Sequence, residues 1–90
     1  MKIIHGTILA PTGLTARLSS QIVAEANKYK SNLIIRVLDE EADLKSIMNV
    51  MALVVPHGNN YTIEIEGEDE ELAESSFNKL LKEINEYLHS

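Results

Sequence analysis

The chain has 90 residues, no cysteine and a formal charge of −6, so we expect one domain over residues 1–90 without disulfides or cysteine-bound zinc. It has no apolar run near the roughly 20 residues that span a bilayer. Residues 1–6 also lack the apolar segment of a signal peptide, which predicts a cytoplasmic protein. Residues 46–90 carry nine acidic against two basic side chains, which argues against nucleic acid or an anionic membrane as the main partner.

The first third of the chain predicts a strand followed by a helix. Residues 2–9 are rich in β-branched side chains, as in a strand, and the turn-forming residues 10–13 end it. Residues 15–29 then change to the period of an amphipathic helix. The apolar positions of this helix include Leu18, Ile22 and Ala26, and the polar side chains Ser19, Glu25 and Lys28 fall elsewhere on it.

The middle of the chain returns to strand chemistry. Residues 32–38 place Leu33, Ile35 and Val37 on one face, which predicts a strand. Residues 39–41 are all acidic and predict a polar turn. A short strand is expected at residues 42–44.

The second half predicts a short helix, a strand and a long helix. Ser46 has the character of an N-cap for a helix over residues 47–54, which Pro56 would stop. Residues 61–66 alternate apolar and polar side chains and predict a strand, and residues 69–88 predict the last helix. That helix has acids near its N-terminus and a stripe formed by Phe77, Leu80, Leu81, Ile84 and Leu88.

The predicted order is therefore β-α-β-β-α-β-α. Polar side chains that alternate outward, such as Glu64 and Glu66, favour an antiparallel sheet with helices packed on one side. The first six elements match a ferredoxin-like arrangement. Periodicity alone does not fix the strand order. The fold class is α+β.

The sequence has no motif of an enzyme or a metal site. It lacks a glycine-rich phosphate loop and the zinc-protease and serine-hydrolase motifs. His5, His57 and His89 are not spaced as ligands on one element, so half-buried or surface histidines are expected instead of a metal centre. The abundant carboxylates predict a solvated acidic face rather than an acid–base pair. We expect no catalytic residue and no cofactor.

Two segments have unusual chemistry, and the first is residues 12–17. Backbone N–H groups at a helix start, with Arg17 in the first turn, could hold an anion. The simpler interpretation is a threonine N-cap beside a solvated arginine, and spacing alone favours it.

The second segment is residues 43–54, where the helix that Ser46 opens has only one polar residue between Ile47 and Val54. If Val50, Leu53 and Val54 face the core, then Ile47, Met48 and Met51 cannot all be buried with them. An exposed apolar patch that contains methionines indicates a partner site. A fully buried helix is the alternative. A phosphate on Ser46 would lie at the helix N-terminus beside Lys45 and next to this patch.

At these two segments the chain resembles the HPr family, the small histidine-containing phosphocarrier proteins of the bacterial sugar phosphotransferase system. The resemblance covers essentially the whole chain. Leu44-Lys45-Ser46-Ile47-Met48 followed by Val50-Met51 is similar to the family's regulatory-serine motif, and residues 12–17 align with its active-site motif. The resemblance implies an open-faced β-sandwich, in which a four-stranded antiparallel sheet carries three helices on one face.

The alignment places Thr15 where the family has its phosphate-accepting histidine. Leu18 stands where the motif has proline, and residues 54–57 replace a glycine-rich stretch. A threonine hydroxyl is a poor nucleophile without an adjacent base, and a phosphothreonine would be a stable ester, unable to pass its phosphate onward. We therefore expect phosphohistidine transfer to be absent.

The pattern is similar to that of histidine-lacking paralogues in catabolite repression, although those have glutamine at the position of Thr15. The resemblance implies Ser46 as a phosphosite for a serine kinase/phosphorylase of the HPr type, and a LacI-type catabolite-control regulator as a reader of the phosphorylated form. It further implies that Arg17, Lys45, Ile47, Met48 and Met51 contact partners. The alternatives are an active phosphocarrier that uses another residue and a divergent, unphosphorylated interaction module.

Overall fold

Among the residues that a computed structural model describes, seven elements follow one another in the order that the sequence predicts. The structure describes residues 1–7, 16–53 and 60–89, without the side chains of Ala16 and of residues 85–89. The elements are β1 (Lys2–Thr7), α1 (Ala16–Ala26), β2 (Asn32–Val37), β3 (Glu40–Asp43), α2 (Ile47–Ala52), β4 (Asn60–Glu66) and α3 (Glu70–His89). No helix in these ranges is long and apolar enough to cross a membrane.

The four strands form one antiparallel sheet in the order β1-β4-β2-β3. Ile63 at the centre of β4 is opposite Ile4 of β1 on one side and Ile35 of β2 on the other. Alternate residues of these strands point to the helices, because successive side chains of a strand face opposite sides of the sheet. The sheet contributes Ile4, Leu33, Ile35, Val37, Ala42, Tyr61, Ile63 and Ile65 to the core. The architecture is thus the expected open-faced β-sandwich.

The outer face of the sheet is polar. Arg36 of β2 forms ion pairs with Glu64 of β4 at 3.0 Å and with Glu41 of β3 at 2.8 Å. The hydrogen bond from Arg36 to Glu64, and then the charge of Glu41, raise the pKa of the guanidinium. His5 lies exposed on the same face, with its Nδ1 3.3 Å from the hydroxyl of Thr62.

Helix α3 is held by its buried stripe and by polar contacts near its N-terminal half. Phe77 and Ala73 are fully buried, while Leu80, Leu81 and Ile84 pack against the core from its edge. The carboxylate of Asp69, which precedes the helix, accepts hydrogen bonds from the backbone N–H groups of Lys30 and Ser31 at 2.8 and 2.9 Å. These bonds join the start of α3 to the turn between α1 and β2.

The turn between β2 and β3 differs from the expectation. The second strand ends at Val37, not at residue 38, and the exposed Leu38 has a φ of 56°. This left-handed residue lets the chain reverse within two positions, so Glu40 and Glu41 belong to β3 instead of a turn. Consecutive acidic residues suggest a turn in the sequence, but an edge strand such as β3 tolerates charged side chains, so the acids do not exclude a strand.

Helix α1 is shorter than residues 15–29 and more buried than expected. It ends at Ala26, where the N–H of Tyr29 reaches the carbonyl of Ala26 in a tightened final turn. Ser19 is fully buried, although it lies outside the apolar positions of the pattern, and its hydroxyl has no hydrogen-bond partner within the described ranges.

Several sequence expectations lie outside the described residues. They include the turn at residues 10–13, Thr15, Val54, Pro56 and His57. The side chain of Leu88 is likewise outside the description, although α3 continues through that position to His89.

Candidate functional site

The residue before α2 is placed by the core and by the end of β3. Leu44 is fully buried, and its N–H donates to the carbonyl of Leu33 at 2.9 Å. The Asp43 carboxylate then accepts from the N–H of Lys45 at 2.9 Å, and the Asp43 carbonyl accepts from the N–H of Ser46 at 3.1 Å. These hydrogen bonds fix the backbone between β3 and Ser46, and so fix the position of Ser46 at the start of α2.

Ser46 is the N-cap of α2, as the sequence predicts. Its backbone is extended, with φ −112° and ψ 110°, and its carbonyl accepts the first helical bond from Val50 at 3.0 Å. The hydroxyl oxygen accepts from the backbone N–H of Asn49 at 3.3 Å and from the Asn49 side-chain amide at 3.0 Å. Ser46 is half-buried, so its hydroxyl lies at the surface but within a defined set of contacts.

Helix α2 exposes part of its apolar surface, as its composition predicts. Val50 and Leu53 are buried, whereas Met48 and Met51 are 79% and 57% exposed, and Ile47 is half-buried. The alternative of a fully buried helix is therefore wrong. We call Ile47, Met48 and Met51 the methionine patch. It begins at the residue that follows Ser46.

Helix α1 packs against α2 and is tied to the residue that precedes Ser46. The side-chain amide of Asn27 donates to the carbonyl of Val23 at 2.9 Å and to the carbonyl of Lys45 at 3.1 Å. Arg17 is exposed in the first turn of the same helix. The structure thus places Arg17 and Ser46 on neighbouring helices. Thr15 lies outside the described residues.

The described residues include two further histidines, while His57 lies outside them. His5 lies on the outer face of the sheet, and His89 is the last residue of α3. No group of three or more histidine, aspartate or glutamate side chains within residues 1–7, 16–53 and 60–89 could hold a metal ion.

The carboxylates with shifted pKa values have structural contacts. The hydroxyl of Ser31, together with the N–H of Lys30, lowers the pKa of Asp69 to about 2. The hydroxyl of Ser76 is the main cause of the lowered pKa of Glu25, and this bond joins α1 to α3. Both carboxylates stabilise the placement of α3.

Two asparagines at this site were not predicted from the sequence. Asn27 and Asn49 each use a side-chain amide to bind the segment that contains Lys45 and Ser46. The spacing of Ser46 and Asn49 is that of a capping box, in which the third helical residue contacts the N-cap. Asparagine is not the usual residue at that position. The bond from Asn27 to Lys45 spans 18 positions and has no local sequence signal.

The comparisons with known proteins identify the family of this chain. A family model described as the PTS HPr component phosphorylation site matches residues 5–83. The chain belongs to the HPr family. It is 39% identical over 84 residues to the phosphocarrier protein HPr of Lysinibacillus sphaericus, which covers 93% of this chain and 96% of that protein. It is 40% identical over 74 residues to the HPr of Mycoplasma genitalium, covering 81% and 84% of the two chains.

Solved structures of similar proteins have the same fold. A histidine-containing phosphocarrier protein from Mycoplasma superposes with a TM-score of 0.84 and 35% identity, over 87% of this HPr-family chain and 89% of that one. The catabolite-repression protein Crh of Bacillus subtilis superposes with a TM-score of 0.70 and 34% identity, over 81% and 84%. Both the phosphocarrier and the catabolite-repression branches of the family therefore share this fold.

Proposed function

We propose that this chain is a non-catalytic regulatory member of the HPr family, switched by phosphorylation of Ser46. The observation that supports the proposal is the position of the Ser46 hydroxyl. It caps α2 at the surface, directly before the exposed methionine patch. A modification of this hydroxyl would therefore change the charge of a surface that has the character of a docking site.

The switch is electrostatic. A phosphate adds about 1.5 to 2 negative charges near pH 7. On Ser46 it would replace a neutral hydroxyl beside Met48, which is 79% exposed. A partner that binds an apolar surface would then meet a desolvation cost, whereas a partner with a complementary basic group would gain a charge-assisted hydrogen bond. The same patch could in this way serve different partners before and after modification.

The partners follow from the family relationship. A serine kinase/phosphorylase of the HPr type would recognise the methionine patch and modify Ser46. A LacI-type catabolite-control regulator would read the phosphorylated form, with Arg17 and Lys45 as further contacts. The similarity to Crh, a catabolite-repression protein by name, supports this role. We place the protein in the cytoplasm, where such partners act.

The threonine at position 15 supports a regulatory rather than a carrier role. A hydroxyl phosphate is a stable ester, so a phosphate on Thr15 would not be passed onward as it is from an imidazole nitrogen. The chain would then need no catalytic residue and no cofactor of its own. Arg17 of the same motif is retained two positions after Thr15, so recognition of a partner can persist without transfer.

Phosphorylation by a purified HPr kinase/phosphorylase with ATP tests the proposal. We expect one phosphate per chain, located on Ser46 by mass spectrometry of peptides and absent in Ser46→Ala. Ser75→Ala, which changes an exposed serine on α3, should be phosphorylated like the unmodified sequence. Failure to modify Ser46, or equal modification of Ser46→Ala, would overturn the proposal and leave an unphosphorylated interaction module.

The docking surface has its own test. Met48→Ala and Met51→Ala should each raise the KM of the kinase and weaken binding of the phosphorylated protein to the regulator. Leu72→Ala is the matched control, because Leu72 is 68% exposed but lies on α3. If Leu72→Ala weakens binding as much as the methionine variants do, the methionine patch is not the docking surface.

A second candidate function is that of a phosphocarrier, and the names of the relatives favour it. Radiolabelled phosphoenolpyruvate and Enzyme I would then place an acid-labile phosphate on the chain. We expect none, with the phosphocarrier of Lysinibacillus sphaericus as positive control. An acid-labile phosphate on a histidine of this chain would establish the carrier role instead.

A further inference from the structure

Asn49 has an unusual place in α2. It is the third residue of the helix, between the exposed Met48 and the buried Val50. Asparagine is a poor helix former because its amide competes with the backbone for hydrogen bonds. Here the amide is on the exposed side of the helix, yet it is turned back to the hydroxyl of Ser46. The role of Asn49 therefore lies in its contact with the Ser46 hydroxyl.

Both acceptor positions of the Ser46 oxygen are used by this one residue. A hydroxyl has two acceptor lone pairs and one proton to donate. The backbone N–H of Asn49 takes one lone pair at 3.3 Å, and the side-chain Nδ2 takes the other at 3.0 Å. The first bond is the ordinary N-cap bond of a helix. The second depends on the asparagine side chain.

We propose that Asn49 is a positioning residue that restrains the Ser46 hydroxyl and slows its phosphorylation. The inference rests on the proposed function of Ser46 as a phosphosite. The Asn49 amide holds the oxygen in the rotamer that caps α2. It must leave the oxygen before phosphoryl transfer occurs, so the side chain at position 49 sets how readily the serine reacts.

The chemistry of the transfer explains why this contact matters. The Ser46 oxygen attacks the γ-phosphorus of ATP with a lone pair and forms the new oxygen–phosphorus bond. The bond from that phosphorus to the β,γ-bridging oxygen breaks, ADP leaves, and the hydroxyl proton passes to a base of the kinase. An oxygen that accepts two N–H bonds has less electron density available for the attack. Loss of one such bond corresponds to a rate factor of about two to ten.

Single-turnover kinetics over a range of kinase concentrations up to saturation, at saturating ATP, give both the maximal rate and the KM and so test the proposal. We expect Asn49→Ala to be phosphorylated about two to ten times faster than the unmodified sequence, with KM unchanged. The backbone N–H at position 49 remains in this variant, so the Ser46 oxygen can still form the cap bond but is no longer restrained by the side-chain amide. Asn78→Ala, which changes an exposed asparagine on α3, should have the original rate and KM.

A measurement without kinase gives an independent readout. The three-bond Hα–Hβ couplings of Ser46 should indicate one side-chain rotamer in the unmodified sequence and an averaged set in Asn49→Ala. Unchanged couplings would overturn the proposal. An unchanged or lower transfer rate in Asn49→Ala would also overturn the proposal. A change in KM alone would indicate that Asn49 contacts the kinase instead. If neither protein is phosphorylated, the proposed function fails and the inference fails with it, whereas a slow Asn49→Ala refutes only the inference.

Discussion

The contact between Gly6 and Tyr61 provides a sharp test of the packing between β1 and β4. The two residues are opposite each other in the antiparallel pair, and the Tyr61 ring, buried at 7% exposure, crosses the position where a side chain of residue 6 would lie. A methyl group on Gly6 would overlap Oη and Cζ of Tyr61 and lie 2.8 Å from its Cε2. Gly6→Ala should therefore destabilise the protein.

The magnitude follows from two opposing effects. Overpacking of a closely packed position costs about 1–3 kcal/mol. Alanine in place of glycine within a strand restores about 0.5–1 kcal/mol through the smaller entropy of the unfolded chain. The overlap is the larger effect, so we expect a net loss of about 1–2 kcal/mol. For a domain of this size that loss lowers the Tm by roughly 5–15 °C.

Thermal unfolding followed by circular dichroism provides the measurement, and a second background identifies the cause. In Tyr61→Val the ring is absent, so adding Gly6→Ala should leave the Tm unchanged or raise it. The cost of Gly6→Ala would then be smaller by about 1 kcal/mol or more in the Tyr61→Val background than in the unmodified sequence. An equal loss of stability from Gly6→Ala in both backgrounds would refute the reasoning, because it would place the cause in the backbone instead of the ring.

Three further changes have defined outcomes. The pKa of Asp69 is about 2 in the folded protein against an ordinary 3.8. Its contribution to stability is therefore present above about pH 4 and is lost as the pH falls toward 2. In urea unfolding across this pH range, the free energy of unfolding should decline less for Asp69→Asn than for the unmodified sequence. Phe77→Ala leaves a cavity at a fully buried position and should lower the free energy of unfolding by about 3–5 kcal/mol in the same assay. Ser46→Ala removes the cap of α2 and should cost about 1 kcal/mol, while Ser46→Asp keeps the cap bond and should cost less.

Much of the fold was predictable because its strands alternate cleanly. The inward side chains Leu33, Ile35 and Val37 are buried as predicted, and the alternating segment of residues 61–66 forms most of β4. The cap at Ser46 was also predictable, since a serine before an apolar run has few other roles. The methionine patch followed from a count of apolar positions that one side of a short helix cannot bury.

Other features depend on tertiary contacts that no local pattern contains. The burial of Ser19 results from the packing around α1, and the reversal at Leu38 needs a left-handed residue where glycine would be expected. The bond from Asn27 to Lys45 and the bond from Ser76 to Glu25 join elements far apart in the sequence. These contacts arise only once the helices are packed on the sheet.

The exposure of Met48 and Met51 makes the methionine patch sensitive to oxidants. A thioether at the surface is converted to a sulfoxide more readily than a buried one, and the product is polar and chiral. Val50 and Leu53, which anchor the same helix in the core, have no sulfur, so oxidation would alter the surface of α2 without emptying the space beneath it. Mild peroxide treatment therefore provides a chemical way to change partner binding while the fold is retained, and stored protein should be checked for sulfoxides by mass before its affinities are measured.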